Sequence, residues 1–279
     1  MPELPEVHTI VTDLKKHLVG WRVVDVEVVS GNYISGEELE RLVGQEIIDV
    51  ERVAKNIVIG FESGENLVIH LVMTGRLLLR SPSFREDPYT KLVFVFEKGD
   101  KRVHLRFTDK RGWGKVFLVA KGELEEFSGK YGPDLLTADL TPKKFLEALQ
   151  KKRTKIKGAL LDQKIVSGLG NAYATDALWI AGIHPEISTR ELDLEMAEKL
   201  LSAIREILEE GITNRGISMA DYVDLFGKKG KQQEFFRVYK QEVCPKCGGV
   251  VVFKKVSGRG TYFCVTCQLH KSKLLRPKG

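Results

Sequence analysis

The sequence predicts an α+β protein of several domains, with a β-rich N-terminal part, a helical middle part and a short C-terminal metal-binding hairpin. Short runs rich in β-branched and aromatic residues fill residues 21–119, separated by Gly, Asn and Asp. Helical patterns follow residue 133, and all four cysteines lie within residues 244–267. These three observations, taken in chain order, define the predicted fold class.

The N-terminal part is expected to open with an amphipathic helix. Val7, Val11, Leu14 and Leu18 recur at helical spacing behind Pro5, a residue that is favoured at the first helical position. Runs such as WRVVDVEVV, NIVIGF and KLVFVF then have the composition of strands. Many such strands at short spacing indicate a β-sandwich or a β-barrel.

The middle part is expected to be helical in TPKKFLEALQKK, IKGALLDQKIV, NAYATDALWIAG and from about residue 191 to 210. The sequence Gly-Leu-Gly-Asn at 168–171 forms a turn between two of these helices, and its glycines allow the backbone to approach a ligand closely. Helix packing alone would also explain such a turn. Residues 211–240 are polar and contain Gly and Lys, so we expect a mobile loop there.

These patterns predict a β-rich domain at 1–130, a helical domain at 131–240, a metal-binding module at 241–270 and a basic tail at 271–279. The net charge is +6, but residues 228–279 carry thirteen Lys and Arg against two acidic residues. This segment indicates a phosphate-binding surface, and a solvated basic tail is the alternative. No run approaches the roughly 18 apolar residues of a membrane span, and a signal-peptide pattern is missing, so we expect an intracellular protein.

The four cysteines have the spacing of a zinc site, Cys244-x2-Cys247 and Cys264-x2-Cys267 with sixteen residues between the two pairs. Two such pairs place four thiolates around one tetrahedral Zn2+, which would be structural because no ligand position is left for water. A pair of disulfides, or buried free thiols, is the alternative. The residues between the pairs alternate as a hairpin does, with Arg259 near its tip.

The N-terminal sequence MPELPEV is the second unusual element. Removal of Met1 would leave Pro2 with a free secondary amine, which can attack a sugar carbon and form an iminium. Glu3 and Glu6 add carboxylates that can accept and donate protons close to that amine. A proline-rich start that only shapes the entry of the helix is the alternative.

Taken together, these features resemble the formamidopyrimidine-DNA glycosylase family, with matching residues from Pro2 to Gln268. The matching motifs are Pro2-Glu3-Leu4-Pro5-Glu6-Val7, Lys55 in RVAKNIVI, His70-Leu71-Val72-Met73-Thr74-Gly75-Arg76, Asp109-Lys110-Arg111-Gly112-Trp113-Gly114, Gly132-Pro133-Asp134-Leu135-Leu136, Gly168-Leu169-Gly170-Asn171, Ala181-Gly182-Ile183-His184-Pro185 and Gly258-Arg259 within the cysteine-rich module.

The resemblance implies an N-terminal two-layer β-sandwich with flanking helices, a helix-two-turns-helix domain with a lesion-capping loop, and a C-terminal β-hairpin zinc finger. It implies a bifunctional glycosylase and abasic-site lyase of base excision repair. Such an enzyme removes 8-oxoguanine and formamidopyrimidines through a proline Schiff base and then cuts the strand by β,δ-elimination. The expected partner is damaged double-stranded DNA, bound by a monomer in the cytoplasm at the nucleoid, with no membrane involved.

The resemblance also implies roles for individual residues. Pro2 would be the nucleophile and Glu3 would transfer protons, while Lys55 would donate a proton in β-elimination and hold phosphate. Arg259 would bind the lesion phosphates and assist δ-elimination. The implied DNA-binding residues are His70, Met73, Tyr89, Arg111, Trp113, Arg153 and Asn171, of which Met73, Arg111 and Trp113 would fill the gap left by an extruded base.

The sequence departs from the family pattern in places. Trp113 stands where Phe is common, and residues 87–91 replace a His-rich patch around Tyr89. The predicted capping loop carries Ile217, Met219 and Phe226 where smaller or more polar residues are usual. Two other functions therefore remain as alternatives: the sister activity on oxidised pyrimidines, and a non-catalytic zinc-finger protein that binds damaged DNA.

Overall fold

A computed structural model describes residues 1–85, 87–137 and 139–269, which form two compact units. The first unit combines Met1–Gly129 with Gly211–Gln233, and the second begins with Lys130–Glu210 and resumes at Glu234. The predicted basic tail at 271–279 lies outside the described residues. The domain boundaries at residues 130, 240 and 270 remain a prediction. Grouped by contacts alone, residues 211–233 belong to the N-terminal unit.

The first unit contains two four-stranded antiparallel sheets. Its elements are α1 (Leu4–Leu18), β1 (Arg22–Val28), α2 (Gly36–Glu40), β2 (Ile47–Val53), β3 (Asn56–Phe61), β4 (Asn66–His70), β5 (Gly75–Arg80), β6 (Thr90–Lys98), β7 (Lys101–Asp109), β8 (Lys115–Val119) and α3 (Leu124–Gly129). One sheet has the order β1-β6-β7-β5 and the other β2-β3-β4-β8. The predicted two-layer sandwich is confirmed, and the barrel alternative is wrong.

One hydrophobic core joins the two sheets and α1. Phe94 and Phe96 of β6 are buried together with Ile57 and Ile59 of β3, and Leu14 of α1 belongs to the same cluster. Alternate residues of a strand point to one face, which explains the spacing of two between these positions. Burial of each such side chain contributes about 1.5–3 kcal/mol, so the apolar pattern of the sequence is sufficient to specify the layers.

Helix α1 begins where the sequence predicts, because its first turn carries its own cap. The backbone N–H of Glu3 donates to the Glu6 carboxylate at 2.6 Å, and Pro5 occupies the first turn. A carboxylate at this end also complements the helix dipole. The start of α1 is therefore fixed next to Pro2.

The second unit is helical and ends in a hairpin. Its elements are α4 (Pro142–Gln150), α5 (Ile156–Leu161), α6 (Asn171–Ile180), a 3₁₀ turn (Thr189–Glu191), α7 (Leu194–Thr213), a second 3₁₀ turn (Gln232–Phe235), β9 (Val251–Val256) and β10 (Arg259–Cys264). The last residues of α7 and the first of the second 3₁₀ turn belong to the first unit. The predicted helix IKGALLDQKIV is shorter than expected, because Asp162 is extended and its side chain accepts a hydrogen bond from Lys164 N–H.

The segment expected to be a mobile loop has defined anchors within the first unit. Arg215 forms ion pairs with Asp13 of α1 and with Asp224. The backbone N–H of Leu79 in β5 donates to the carbonyl of Leu225 at 2.8 Å, and the Leu225 side chain is fully buried in the sandwich core. The sequence did not reveal these anchors because they depend on contacts with α1 and β5, which are distant in the chain.

Replacement of Leu225 tests this anchoring. Leu225→Ala is expected to lower the free energy of unfolding by about 2–5 kcal/mol, because deletion of a buried leucine side chain leaves a cavity. Urea denaturation measures the change. Met219→Ala, in an exposed part of the same segment, serves as the control and should change stability by less than about 0.5 kcal/mol. Equally small effects of both substitutions would contradict the anchoring.

Candidate active site and DNA-binding surface

The N-terminus places the predicted nucleophile at the start of α1. Met1 is exposed, whereas Pro2 and Glu3 are buried. While Met1 is attached, the Pro2 nitrogen belongs to an amide and has no free lone pair. The predicted chemistry therefore requires removal of Met1, after which the secondary amine of Pro2 would be adjacent to the Glu3 carboxylate.

The carboxylate of Glu6 connects this N-terminus to the predicted capping loop. One oxygen accepts from Glu3 N–H at 2.6 Å, and the other accepts from Ile217 N–H at 2.7 Å. Gly216 has a φ of 84°, and a Cβ at this position would lie 2.7 Å from the Glu6 carboxylate. Glu6 is thus a positioning residue that binds backbone N–H groups, a role that its spacing from Pro2 did not reveal.

Lys55 and His70 lie on neighbouring strand ends of one sheet. Lys55 occupies the tight turn between β2 and β3 and is 8% exposed. His70 ends β4, where its Nδ1 lies 2.8 Å from Asn56 Oδ1. Because the Asn56 amide nitrogen donates to Val53 O, its oxygen faces the imidazole, and Nδ1 is the donor of that pair.

The electrostatic surroundings keep His70 neutral. Burial, followed by the positive charges of Lys55 and Lys115, lowers the pKa of His70 from 6.5 to about 4. At neutral pH the imidazole therefore carries a proton on Nδ1 and has a lone pair on Nε2. The cationic character of this part of the first unit comes from the lysines.

Three side chains predicted to fill a vacated base position are brought together by the structure. Arg111 Nη1 lies 3.7 Å from Met73 Sδ, and the Arg111 guanidinium lies 5.1 Å from the centre of the Trp113 ring. All three side chains are exposed, with Trp113 exposed by 53% and Met73 by 39%. Because Met73 and Trp113 are exposed, packing in the sandwich core does not explain these residues.

Asp109 holds this three-residue cluster in place. Its buried carboxylate accepts from Thr74 Oγ1 at 2.5 Å, from Arg111 N–H at 3.2 Å and from Gly114 N–H at 2.7 Å. Thr74 follows Met73, so one carboxylate fixes both loops of the cluster. Tyr33 also donates to it, at 3.4 Å. The sequence motif that contains Asp109 does not indicate this role.

The pKa values of this group reflect the same hydrogen bonds. Burial raises the pKa of the Asp109 carboxyl, but hydrogen bonds from Thr74, Gly114 and Arg111 outweigh burial and hold the pKa below its ordinary value. Burial, and then the charge of Asp109, raise the pKa of Tyr33 to about 12. Tyr33 is therefore a neutral donor and Asp109 a charged acceptor throughout the neutral range.

Tyr89 is exposed and adopts an unusual backbone conformation. Its φ is 61°, a region that bulky residues rarely occupy, and its carbonyl accepts from Asp109 N–H at 3.0 Å. The Lys110 ammonium lies 5.9 Å from the centre of the Tyr89 ring. Buried ion pairs of Asp87 with Arg80 and Arg106 fix the loop that carries it. These contacts support a backbone conformation that is costly for a residue with a bulky side chain.

In the second unit, Asn171 begins α6 and uses its side chain within the protein. Its Nδ2 donates to the carbonyl of Gly260, next to Arg259, at 2.9 Å. Lys157 donates from Nζ to the Asn171 carbonyl at 2.9 Å and to Thr175 Oγ1 at 2.5 Å. Lys157 is fully buried. The sequence did not identify it as a structural residue, although its position within an apolar helical pattern could have indicated burial.

Arg153 and Arg259 are exposed on the second unit. Arg153 precedes α5, and Arg259 is the first residue of β10. The chain that leads towards the hairpin is held by Asp176, whose buried carboxylate accepts from the N–H groups of Arg237, Val238 and Tyr239 at 2.9–3.0 Å. Asp176 thus positions the hairpin relative to α6.

The four cysteines form one compact site. All are free thiols, and their Sγ atoms lie within 4.8 Å of one another, with Cys244–Cys267 at 3.8 Å and Cys247–Cys264 at 3.5 Å. Four thiolates bound at about 2.3 Å in a tetrahedron lie about 3.8 Å apart, so the site fits one structural zinc ion. The disulfide alternative is wrong. Bound zinc would stabilise the fold of the finger. Trp179 Nε1 also donates a hydrogen bond to Cys244 Sγ at 3.3 Å.

Comparison with known families agrees with this geometry. Residues 1–116 match the formamidopyrimidine-DNA glycosylase N-terminal domain, residues 131–222 match its H2TH domain, and residues 241–269 match the zinc finger found in FPG and IleRS. The chain belongs to the formamidopyrimidine-DNA glycosylase family. Its predicted organisation into β-sandwich, helix-two-turns-helix and zinc finger is thereby confirmed.

Curated members of the formamidopyrimidine-DNA glycosylase family resemble the chain over nearly its whole length. The enzyme named formamidopyrimidine-DNA glycosylase from Chloroflexus aurantiacus is 37% identical over 96% of this chain and 98% of its own. Its counterpart from Pelotomaculum thermopropionicum is 37% identical over 96% of this chain and 99% of its own. The similarity therefore includes all three domains.

Solved structures of the formamidopyrimidine-DNA glycosylase family have the same fold. The Lactococcus lactis protein in complex with DNA containing an abasic site has a TM-score of 0.87 and 33% identity, over 96% of this chain and 100% of that chain. A variant of it bound to DNA containing Fapy-dG has a TM-score of 0.88, with the same identity and coverage.

In the residues that the structure describes here, no helix is long and apolar enough to cross a membrane.

The lowered pKa of His70 predicts a pH dependence of stability. Between pH 6.5 and 4 the unfolded chain binds a proton at His70 whereas the folded protein does not, so acidification across this range favours unfolding. Compared with His70→Gln, the wild type should lose up to about 3 kcal/mol of stability from pH 7 to pH 4. Urea denaturation at several pH values measures the difference. Parallel curves for the two proteins would show that His70 keeps its ordinary pKa.

Proposed function

We propose that this protein is a bifunctional DNA glycosylase and abasic-site lyase of base excision repair that removes oxidised purines, namely 8-oxoguanine and formamidopyrimidines. The observation that carries the proposal is the match to formamidopyrimidine-DNA glycosylases along nearly the whole of both chains. The Lactococcus lactis relative is described in complexes with abasic-site and Fapy-dG DNA. We propose a monomer that acts on double-stranded DNA in the cytoplasm, at the nucleoid.

Pro2 would carry out base removal. After loss of Met1, the lone pair of the Pro2 nitrogen attacks C1′ of the damaged nucleotide. The bond from C1′ to the base breaks, and its electron pair leaves with the base, which takes up the proton that the Pro2 nitrogen loses on bonding to C1′. The C1′–O4′ bond then opens to give an iminium between Pro2 and C1′, and the Glu3 carboxyl group gives a proton to O4′.

Two eliminations would then cut the strand. The Glu3 carboxylate accepts a proton from C2′, the C3′–O bond breaks, and the 3′ phosphate leaves with the electron pair while Lys55 donates a proton. Transfer of the C4′ proton to water and cleavage of the C5′–O bond, whose electron pair leaves with the oxygen, release the 5′ phosphate, and Arg259 stabilises its charge. Water hydrolyses the iminium and regenerates the Pro2 amine. Each step uses a group that the sequence retains.

The exposed cluster of Met73, Arg111 and Trp113 would occupy the space that the damaged base leaves. Extrusion of a base costs stacking energy, which an apolar side chain, a planar cation and an indole ring can partly replace. Arg111 would also donate hydrogen bonds to the unpaired cytosine. Their mutual contacts of 3.7 Å and 5.1 Å support a joint role.

The remaining DNA contacts would be to phosphates. We propose this role for His70, Tyr89, Arg153 and Asn171. The neutral imidazole of His70 can accept a proton at Nε2 when a phosphate binds, and Lys55 adds charge beside it. For Asn171 the backbone N–H groups at the start of α6 are the proposed contacts, since its Nδ2 already donates to Gly260.

A second substrate class has one specific observation in its favour. The Lactococcus lactis relative is also described in a complex with DNA that contains an oxidised pyrimidine. Duplexes that carry 8-oxoguanine or thymine glycol, compared under single-turnover conditions, would decide between the classes. Faster cleavage of the thymine glycol duplex would assign the protein to the pyrimidine branch.

Borohydride trapping tests the catalytic proposal. Wild-type protein shown by mass spectrometry to lack Met1 should form a covalent adduct with lesion DNA, because borohydride reduces the iminium at Pro2. Pro2→Gly should lower the adduct yield by about tenfold or more, since a primary amine forms a less reactive imine. If wild-type protein binds the lesion duplex but gives no adduct, the non-catalytic alternative is correct.

Asp109→Asn tests the proposed role of the exposed cluster. An amide cannot accept all the hydrogen bonds that the Asp109 carboxylate receives, so both loops should shift, and affinity for a duplex with an abasic-site analogue should fall about tenfold. Fluorescence anisotropy measures the affinity. Asp100→Asn removes the same charge from an exposed turn of the same unit and is the matched control. Equal affinity of both variants would contradict the role of Asp109.

A further inference from the structure

The tip of the finger hairpin has a defined backbone geometry. Ser257 and Gly258 connect β9 to β10 with φ values of 49° and 77°. Two consecutive left-handed residues form the tight hairpin turn that matches the natural twist of paired strands. Arg259 follows at once and pairs with Val256, so the turn sets where its side chain emerges.

Two helices of the second unit contact this tip on either side of Arg259. Gly158 of α5 lies against Ser257, and a Cβ at Gly158 would lie 2.7 Å from Ser257 Oγ and 3.0 Å from Ser257 Cβ. Asn171 of α6 donates from Nδ2 to the Gly260 carbonyl at 2.9 Å. The residues that flank Arg259 are therefore held by separate helices.

Further contacts make this arrangement stiff. Lys157 donates to the backbone carbonyl of Asn171, which restrains the residue that holds Gly260. In the middle of β9, Lys254 forms an ion pair with Glu186 at 2.6 Å, and Glu186 also binds Lys155 at 2.6 Å. The hairpin is thus attached to the helical part of the unit at its tip and along β9, in addition to the attachment that the zinc site provides.

We propose that Gly158 and Asn171 are positioning residues that set the location of Arg259 for the second elimination. The inference rests on the proposed function, in which Arg259 stabilises the 5′ phosphate as the C5′–O bond breaks and the C4′ proton is lost. The absence of a side chain at residue 158 lets Ser257 approach α5 closely. A larger residue there would displace the turn and Arg259 with it.

A graded series at residue 158 tests the proposal. Gly158→Ala and Gly158→Val should progressively lower the ratio of β,δ-elimination to β-elimination products, by about tenfold for valine, because a shift of about 1 Å is costly in catalysis. With protein in excess over its Kd for the duplex, so that a weaker Arg259–phosphate contact does not limit binding, the rate of borohydride adduct formation at Pro2 should stay at the wild-type value. Gel analysis of an end-labelled duplex with an abasic site resolves the two products.

Rescue at residue 257 separates positioning from a general structural effect. Ser257→Gly removes the side chain that meets residue 158 and suits the positive φ, so combined with Gly158→Ala it should restore the product ratio. Gly36→Ala is the matched control, since a Cβ at this helical glycine would have nothing within 4 Å. Zinc content of one ion per chain would show that each variant keeps its finger.

The outcomes distinguish this inference from the proposed function. A Gly158→Val protein with one zinc ion and an unchanged product ratio would refute the positioning role. The role would also be refuted if Gly158→Ala lost both eliminations and the added Ser257→Gly substitution did not restore them. A wild-type protein that gives no borohydride adduct would refute the proposed function itself. A lowered ratio with unchanged trapping, rescued in the double variant, would establish the role.

Discussion

A carboxylate buried inside a protein must accept hydrogen bonds, because otherwise the loss of hydration costs several kcal/mol. In this protein, three buried carboxylates accept hydrogen bonds from backbone N–H groups of functional segments. Asp109 fixes the two loops of the exposed cluster, Glu6 joins the N-terminus to the capping segment, and Asp176 fixes the chain that leads to the finger. The sandwich and the helices supply the rigid frame in which these carboxylates are buried.

This arrangement divides the work between scaffold and site. The residues proposed to meet DNA, such as Arg111, Trp113 and Arg259, are exposed and make few contacts of their own. Their positions depend on a neighbour that faces inwards. Functional side chains can therefore be solvated while their backbones remain fixed, which limits the entropy that binding must remove.

Much of the fold follows from local patterns in the sequence. Strands β3 and β6 are recognisable as short continuous runs of β-branched and aromatic residues, and the spacing of the Cys-x2-Cys pairs indicates a zinc site. The family resemblance rests on short motifs, and it identified Pro2, Lys55 and the exposed cluster as candidate site residues. Each of these features is encoded within a few residues of chain.

The features that were missed depend on contacts between distant parts of the chain. The bond from Ile217 N–H to Glu6 spans 211 residues, and no local pattern shows that Glu6 is engaged. The burial of Leu225 in the sandwich core is equally invisible in a polar segment. Lys157 resembles a surface lysine until its partners on α6 are known. Residue types could be predicted, but their long-range pairing could not.

The titration behaviour of Asp109 and His70 has a consequence for how the protein meets changing cellular conditions. Asp109 holds its charge because its pKa is lowered, and His70 stays uncharged down to about pH 4. Neither group changes protonation when the pH varies by a unit around neutrality. These two positions therefore present a constant charge to a polyanion over that range, and any variation of the attraction with acidity arises from other groups.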